Sequence, residues 1–180
     1  MLVTSFEVKD PVREKTDIDL QEETLRLLNS QLRRWAVLYT IDARVLAPPL
    51  GDTEAWLKIG EEYQHPLLVT GKVLFEPMTR AGIVEEAEET FDQYGERHVE
   101  TVRVFRTRKG FYLDITFIFI DGHTGGVIHT ERFREEVLYP ESVQVPALAG
   151  YFELMDRIMA DFLQILTPLR LAVHRTFLIR

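Results

Sequence analysis

The segment from His65 to Phe75, with the sequence HPLLVTGKVLF, constrains the fold more than any other part of the chain. Its run LLV at 67–69 contains no polar residue, which is typical of a central strand covered on both faces of a sheet. After Gly71 the pattern changes to alternation, with Val73 and Phe75 on one side of the strand. The sequence therefore predicts a strand that begins inside a sheet and runs out past the helices that cover it.

Strand and helix patterns alternate before this segment, whereas hairpin strands and a closing helix–strand pair follow it. Leu25, Leu28 and Leu32 form one helical stripe, and Asp19 precedes them as a candidate N-cap. Parallel neighbours require crossover helices, so we predict an α/β fold. Its mixed sheet has a parallel β-α-β-α-β first half, an antiparallel hairpin region and a C-terminal helix–strand, with the helices packed on the sheet. The predicted strands are 1–8, 36–41, 65–75, 101–107, 110–121, 127–137 and 169–179, and the predicted helices are 19–34, 53–63 and 146–166.

Composition fits one domain over residues 1–180 and narrows the function classes. The formal net charge of −8 argues against nucleic-acid binding and against broad attachment to anionic lipid. With no cysteine, disulfides, thiolate catalysis and Cys-based zinc sites are excluded. No apolar run approaches the ~20 residues of a membrane-spanning helix. Residues 1–8 have a strand pattern rather than that of a signal peptide, so an exported protein is expected to carry its leader outside this sequence.

An acidic segment lies between Pro77 and Glu100, and Gly82 and Gly95 interrupt it. Adjacent carboxylates repel one another, and nothing nearby supplies oxygen ligands at the spacing of a calcium loop. We therefore predict a solvated, mobile acidic loop at about 77–100, with cation binding or acid–base chemistry as alternatives. The clustered acidic residues of this segment are Glu85, Glu86, Glu88 and Glu89.

A basic cluster follows the acidic segment, and Arg108-Lys109-Gly110 is predicted to join two strands of a hairpin. Because the two charged sets have opposite signs, we predict mutual neutralisation across a hairpin, or a surface for a partner. The candidate partner contacts are the four glutamates named above together with Arg103, Arg106, Arg108, Lys109 and Phe111.

Motifs that would identify catalytic, cofactor or metal chemistry are missing from the sequence. The five histidines are scattered without metal-binding spacing. His129 and Glu131 share a strand face, so metal binding by this pair is an alternative. The sequence has no nucleophile elbow, dinucleotide fingerprint or phosphate loop. We predict no catalytic residue, no metal and no cofactor, and hence a protein that is not an enzyme.

Several short segments together resemble a known family. They are LVTSF at 2–6, VLYTID at 37–42, WLKIG at 56–60, LVTGKV at 68–73, FIDGHTGGVI at 119–128 and RTFL at 175–178. In this order they resemble the envelope-lipoprotein fold of the TolB amino-terminal domain, the CsgG curli-secretion lipoprotein and the LpoB-type activators of penicillin-binding proteins. The chain departs from that pattern in His65-Pro66, where the family has Gly-Ala-Asp, and in its long acidic segment. It also contains no lipobox cysteine.

The resemblance implies a non-enzymatic domain of the bacterial envelope that acts in envelope assembly or transport. It implies a periplasmic location, tethered to the outer membrane through a lipid anchor outside this chain, and contacts with other envelope proteins. Contacts are expected at the hairpin from Arg103 to Phe111, at the acidic loop and at an exposed edge strand. A more specific version is a ring-forming export component, which would be a homo-oligomer. The alternative is an enzyme or small-ligand binder with a cleft near 42–49 and 75–79.

Overall fold

A computed structural model describes the chain over residues 1–9, 18–35, 41–44, 47–91 and 93–166. Strands and helices follow one another as the sequence predicts for this part of the chain, except that the predicted strands at 101–107 and 110–121 are one strand. Their bounds are β1 (Leu2–Lys9), α1 (Leu20–Trp35), β2 (Asp42–Arg44), α2 (Thr53–Glu62), β3 (Leu67–Phe91), β4 (Arg97–Asp121), β5 (Val127–Tyr139) and α3 (Ala147–Leu166).

The described strands form one mixed sheet in the order β2-β1-β3-β4-β5. Strand β1 is parallel to both β2 and β3, whereas β4 is antiparallel to both β3 and β5. The predicted mixed α/β fold is therefore confirmed. The strand predicted at 36–41 lies outside the described residues except for Ile41, and pairing with β1 begins at Asp42. The strand predicted at 169–179 also lies outside the described residues.

Helices cover both faces of the sheet around the start of β3. On one face α1 and α3 pack over Val69, Val73 and Phe75, and on the other face α2 packs over Leu68. Leu68 and Val69 are both fully buried, which confirms the prediction of a central strand covered on two sides. Beyond α2 the second face becomes polar, so the strand does run out past that helix.

Helix α2 lies very close to the turn between β4 and β5. A Cβ placed on Gly60 would lie 1.9 Å from the carbonyl oxygen of Gly122, so no larger residue fits without moving the helix. Asp52 begins the helix by accepting a hydrogen bond from the Ala55 backbone N–H at 3.0 Å. Trp56 of α2 is fully buried, and its indole N–H donates a hydrogen bond to the Pro49 carbonyl oxygen at 3.1 Å. These contacts fix α2 against the sheet.

A buried hydroxyl pair joins α1 to α3, and aromatic packing joins α3 to the sheet. The hydroxyl oxygens of Thr24 and Tyr151 are 2.7 Å apart, and burial raises the pKa of Tyr151 well above its ordinary range. Farther along α3, Phe162 stacks on Phe117 of the sheet with ring centroids 4.1 Å apart. This layer is the main core of the domain.

The predicted acidic loop at about 77–100 is wrong, because most of it is β-structure. Strands β3 and β4 pair without a register shift from Leu67 opposite Asp121 to Phe91 opposite Arg97. The predicted turn at Arg108-Lys109-Gly110 is also wrong, since β4 runs straight through it. Gly110 instead allows β5 to approach, because a Cβ there would lie 1.8 Å from the Val137 carbonyl oxygen.

The outer part of this hairpin projects beyond the rest of the sheet. Strand β1 pairs with β3 only as far as Leu74, and β5 pairs with β4 only from Lys109 onward. We call residues 80–91 of β3 and 97–108 of β4 the distal ribbon. Among the described strands, these two segments pair only with each other. At ~3.3 Å per residue the distal ribbon is about 40 Å long.

Candidate interaction surface

The distal ribbon exposes all of its residues to some degree, since none of them is buried. It contains all four predicted glutamate contacts and the predicted arginine contacts, with Lys109 next to its inner end. Phe111 differs from the other predicted contacts. It is only 9% exposed and stacks on Phe75 with ring centroids 5.2 Å apart, so it supports the base of the hairpin instead of facing a partner.

One face of the distal ribbon is rich in apolar side chains, and we call it the apolar face. Ile83 and Phe105 lie directly opposite each other, with exposed fractions of 71% and 69%. Val99 and Phe91 are 58% and 67% exposed, and strand alternation places them on the same face. Scattered exposed apolar residues are normal, but four large ones on one face of a two-stranded ribbon indicate a candidate interaction site. The sequence analysis did not identify this face.

The glutamates and arginines of the distal ribbon pair across the two strands. Glu85 accepts a hydrogen bond from the Arg103 Nε at 3.0 Å, and Glu86 accepts two hydrogen bonds from Arg106 at 2.9 and 2.8 Å. The pKa of Glu86 is lowered, chiefly by its hydrogen bond with Arg106. The predicted neutralisation across a hairpin is thus confirmed for these two pairs. Pairs this exposed contribute little to stability, so their main effect is on the pattern of surface charge.

The charges on the apolar face are separated by strand. On the β3 side the face carries Glu85 and Glu89, whereas on the β4 side it carries Arg97 and Arg103. Glu89 and Arg97 also form an ion pair across the face. One long side of the face is therefore acidic and the other is basic. The apolar side chains belong to both strands: Ile83 and Phe105 lie before the Glu85–Arg103 rung, and Phe91 and Val99 lie beyond it toward the tip.

The opposite face of the distal ribbon forms a polar groove with the loop after β5. The groove has a volume of about 500 Å³ and is open to solvent. Its lining residues are Glu86, Arg106, Thr107, Arg108, Pro140, Glu141 and Ser142. Glu86 and Arg106 are already paired with each other there.

A charged cluster that sequence reasoning missed lies on the polar face of the sheet beyond α2. Asp114 is only 9% exposed, and its Oδ1 accepts a hydrogen bond from the Arg132 Nε at 2.7 Å. A second Arg132 nitrogen donates to Oδ2, and the Arg134 Nε lies 3.5 Å from that oxygen. The hydrogen bonds from Arg132 are the largest cause that lowers the pKa of Asp114. The cluster holds β5 against β4.

A depression at the carboxyl end of β1 overlaps part of the cleft predicted for an enzyme or ligand binder, since its lining includes residues 47–49 but none of 75–79. It has a volume of about 470 Å³, is open to solvent and includes Ser5, Glu7 and Thr70 in its lining. The Thr70 hydroxyl donates to the Ser5 carbonyl at 2.9 Å, and Glu7 pairs with Lys72 at 2.7 Å. These polar groups are thus committed to structural contacts.

The described part of the chain brings together no more than two candidate metal ligands. His129 and Glu131 lie 3.3 Å apart, on the shared strand face that the sequence predicts. Within the described ranges, no group of three or more His, Asp or Glu side chains is placed to hold a metal ion.

Comparisons with known proteins leave the family open. No family model matches the chain, and no curated protein matches it. Among solved structures, it is similar to one described as a neuraminyllactose-binding hemagglutinin homologue from Helicobacter pylori. The identity is 16%, the match covers 92% of this chain and 85% of that chain, and the TM-score of 0.43 is too low to carry a functional argument. Among the helices described, none is both long enough and apolar enough for a membrane span.

Proposed function

We propose that this chain is a non-enzymatic interaction domain of the bacterial cell envelope, which docks onto other proteins with its distal ribbon. In this proposal the domain faces the periplasm and serves envelope assembly or transport. A lipid anchor outside this chain tethers it to the outer membrane. The single observation that carries the docking role is the set of four large, exposed apolar side chains on the apolar face.

Energetics support a partner for that face. A two-stranded hairpin is marginally stable by itself in water, and no described helix packs on the distal ribbon. Ile83 and Phe105 remain 71% and 69% exposed. Burying such side chains fully is worth about 1.5–3 kcal/mol each, so a partner that covers this rung gains a central contact.

The envelope location is supported by the resemblance of two segments, LVTGKV at 68–73 and FIDGHTGGVI at 119–128. These segments are far apart in sequence but adjacent in the sheet, with Leu68 opposite Ile120 and Val69 opposite Phe119. If the two motifs belong to the same fold unit, they should lie side by side in the sheet, as they do. This placement adds weight to the resemblance without identifying a partner.

Photo-crosslinking in the native host tests this function. A photoreactive amino acid replaces Phe105 in one variant and Asp156, an exposed residue of α3, in the control. We expect adducts with protein from position 105 and far fewer from position 156, in a chain that fractionates with the envelope. A cytoplasmic chain, or equal crosslinking from both positions, would contradict the proposal.

A further inference from the structure

We propose that a second copy of this chain covers the apolar face. Two distal ribbons pack face to face around a two-fold axis that runs along the length of the ribbons. This inference rests on the proposed docking role and names the partner for it. The argument uses the placement of charge, the cross-strand register and the size of the face.

The charge pattern of the apolar face is complementary to itself. Its acidic side belongs to β3 and its basic side to β4, with Glu85 directly opposite Arg103 in the register. A two-fold rotation about the ribbon's long axis exchanges the two sides, so β3 of one copy lies over β4 of the other. Glu85 of each copy then meets Arg103 of the other, and the apolar rung between Ile83 and Phe105 meets its own counterpart.

Other two-fold arrangements lack this match. If the axis crosses the ribbon at right angles to the strands, β3 lies over β3 and acidic side chains come together. If the two copies join edge to edge around a two-fold axis, either two acidic edges or two basic edges meet. Like charges at close range disfavour these arrangements, so the charge pattern selects the first one.

The size of the face sets the strength of the expected dimer. A ribbon about 40 Å long and about 10 Å wide offers roughly 400 Å² per copy, or about 800 Å² in total. That area is below the roughly 1,200–2,000 Å² of stable interfaces, so we expect a weak and transient dimer with a dissociation constant of about 10 to 100 µM. Such an interface depends on its buried apolar contacts more than on its charged rim.

The first experiment measures the molar mass of the whole chain by light scattering over a concentration series. We expect a monomer–dimer equilibrium that Phe105→Ser weakens at least tenfold. Val104→Ser serves as the matched control, because it lies on the opposite face of the neighbouring rung and should leave the dissociation constant within about threefold. Far-UV circular dichroism verifies that both variants keep their strands. A wild-type chain that stays monomeric at about 1 mM overturns the proposal.

A charge-exchange experiment tests the orientation. Glu85→Arg and Arg103→Glu each place like charges opposite one another, both within a chain and between identical copies. We expect each variant alone to dimerise at least tenfold more weakly than the wild type. An equimolar mixture of the two variants regains association, because a rung with two positive charges in one chain then meets a rung with two negative charges in the other. The repulsion within each chain is the same alone and mixed, so the recovery isolates contacts between chains.

The two proposals fail in different ways. If the mixture associates no better than either variant alone, the face-to-face dimer is wrong. If the wild-type chain is monomeric while position 105 still crosslinks to a different protein in the native host, the docking role stands and the second copy is excluded. If crosslinking from position 105 yields the dimer of this chain and the mixture recovers, both proposals are supported.

Discussion

Replacing Asp114 by Asn removes the negative charge that holds two arginines of β5 against β4. The Asp114 side chain is 10% exposed, whereas the side chains of Arg132 and Arg134 are 52% and 56% exposed. Breaking a fully buried ion pair costs about 3–5 kcal/mol. Here the arginines left behind can be hydrated, so the lost charge-assisted hydrogen bonds set a smaller cost of about 2 kcal/mol.

The cost should depend on pH with a definite sign. The pKa of Asp114 is lowered in the folded chain, chiefly by Arg132. Stability that comes from a lowered carboxyl pKa is fully present above about 3.9, the pKa of an unfolded Asp, and is lost as the pH falls through the folded value. The difference between wild type and Asp114→Asn should therefore be constant from about pH 5 to 7 and shrink below about pH 4.

Urea denaturation at several pH values measures this difference. The matched control is Glu136→Gln, since Glu136 lies on the same face of the sheet and pairs with Arg80 at 2.5 Å but is 40% exposed. We expect the control to cost no more than about 0.5–1 kcal/mol. A cost for Asp114→Asn below about 0.5 kcal/mol would refute our account of the cluster, and so would a difference that persists unchanged at about pH 3.

Two further predictions concern the packing of α2 and a tyrosine at the end of β5. Gly60→Ala should lower the free energy of unfolding by about 1–3 kcal/mol, because its Cβ would lie 1.9 Å from the Gly122 carbonyl oxygen. Gly51→Ala, with no atom within 4 Å of its added Cβ, should change stability by no more than about 0.5 kcal/mol in the same denaturation assay. Burial and Glu153 raise the pKa of Tyr139 to about 12, so its stabilising contribution is full below about pH 10 and is lost as the pH rises through about 12. Tyr139→Phe should therefore reduce the alkaline loss of stability, whereas an unchanged alkaline profile would contradict this assignment.

The central strand and the helices around it could be predicted because their signals are local. Leu28 and Leu32 of α1 are fully buried, as their helical spacing indicates. Leu68 and Val69 are buried on opposite faces, as the uninterrupted apolar run indicates. In each case the side chain's burial follows from the periodicity of its own segment, so a short window of sequence contains the information.

The strand at 101–107 was predicted, but the β3 half of the distal ribbon was not, because its strand pairing overrides local propensity. Pro77, Gly82 and the run of glutamates all disfavour strands when read alone. Pro77 lies three residues beyond Leu74, the last residue of β3 that pairs with β1, so among the described strands it stands at an edge, where proline is tolerated. The arginines that neutralise the glutamates are on a different strand, and only the register of β3 with β4 brings them together.

The Asp114 cluster was missed for a related reason. Tyr112, Asp114 and Thr116 could be placed on one side of a strand from alternation alone, and Arg132 and Arg134 alternate in the same way. Sequence periodicity does not show that Asp114 lies opposite Arg134, because that placement depends on the register between β4 and β5. Polar residues at every second position of an otherwise apolar strand were the available signal.

The unbroken register of the β3–β4 hairpin has a consequence for how such a protein can vary. Inserting or deleting one residue in each strand would exchange the two faces outward of the change, whereas two residues in each strand would leave them as they are. The length of the distal ribbon can therefore change only in steps of about 7 Å if the apolar face is to stay on the same side of the ribbon. Relatives whose hairpins differ in length by an even number of rungs should keep the same side facing outward.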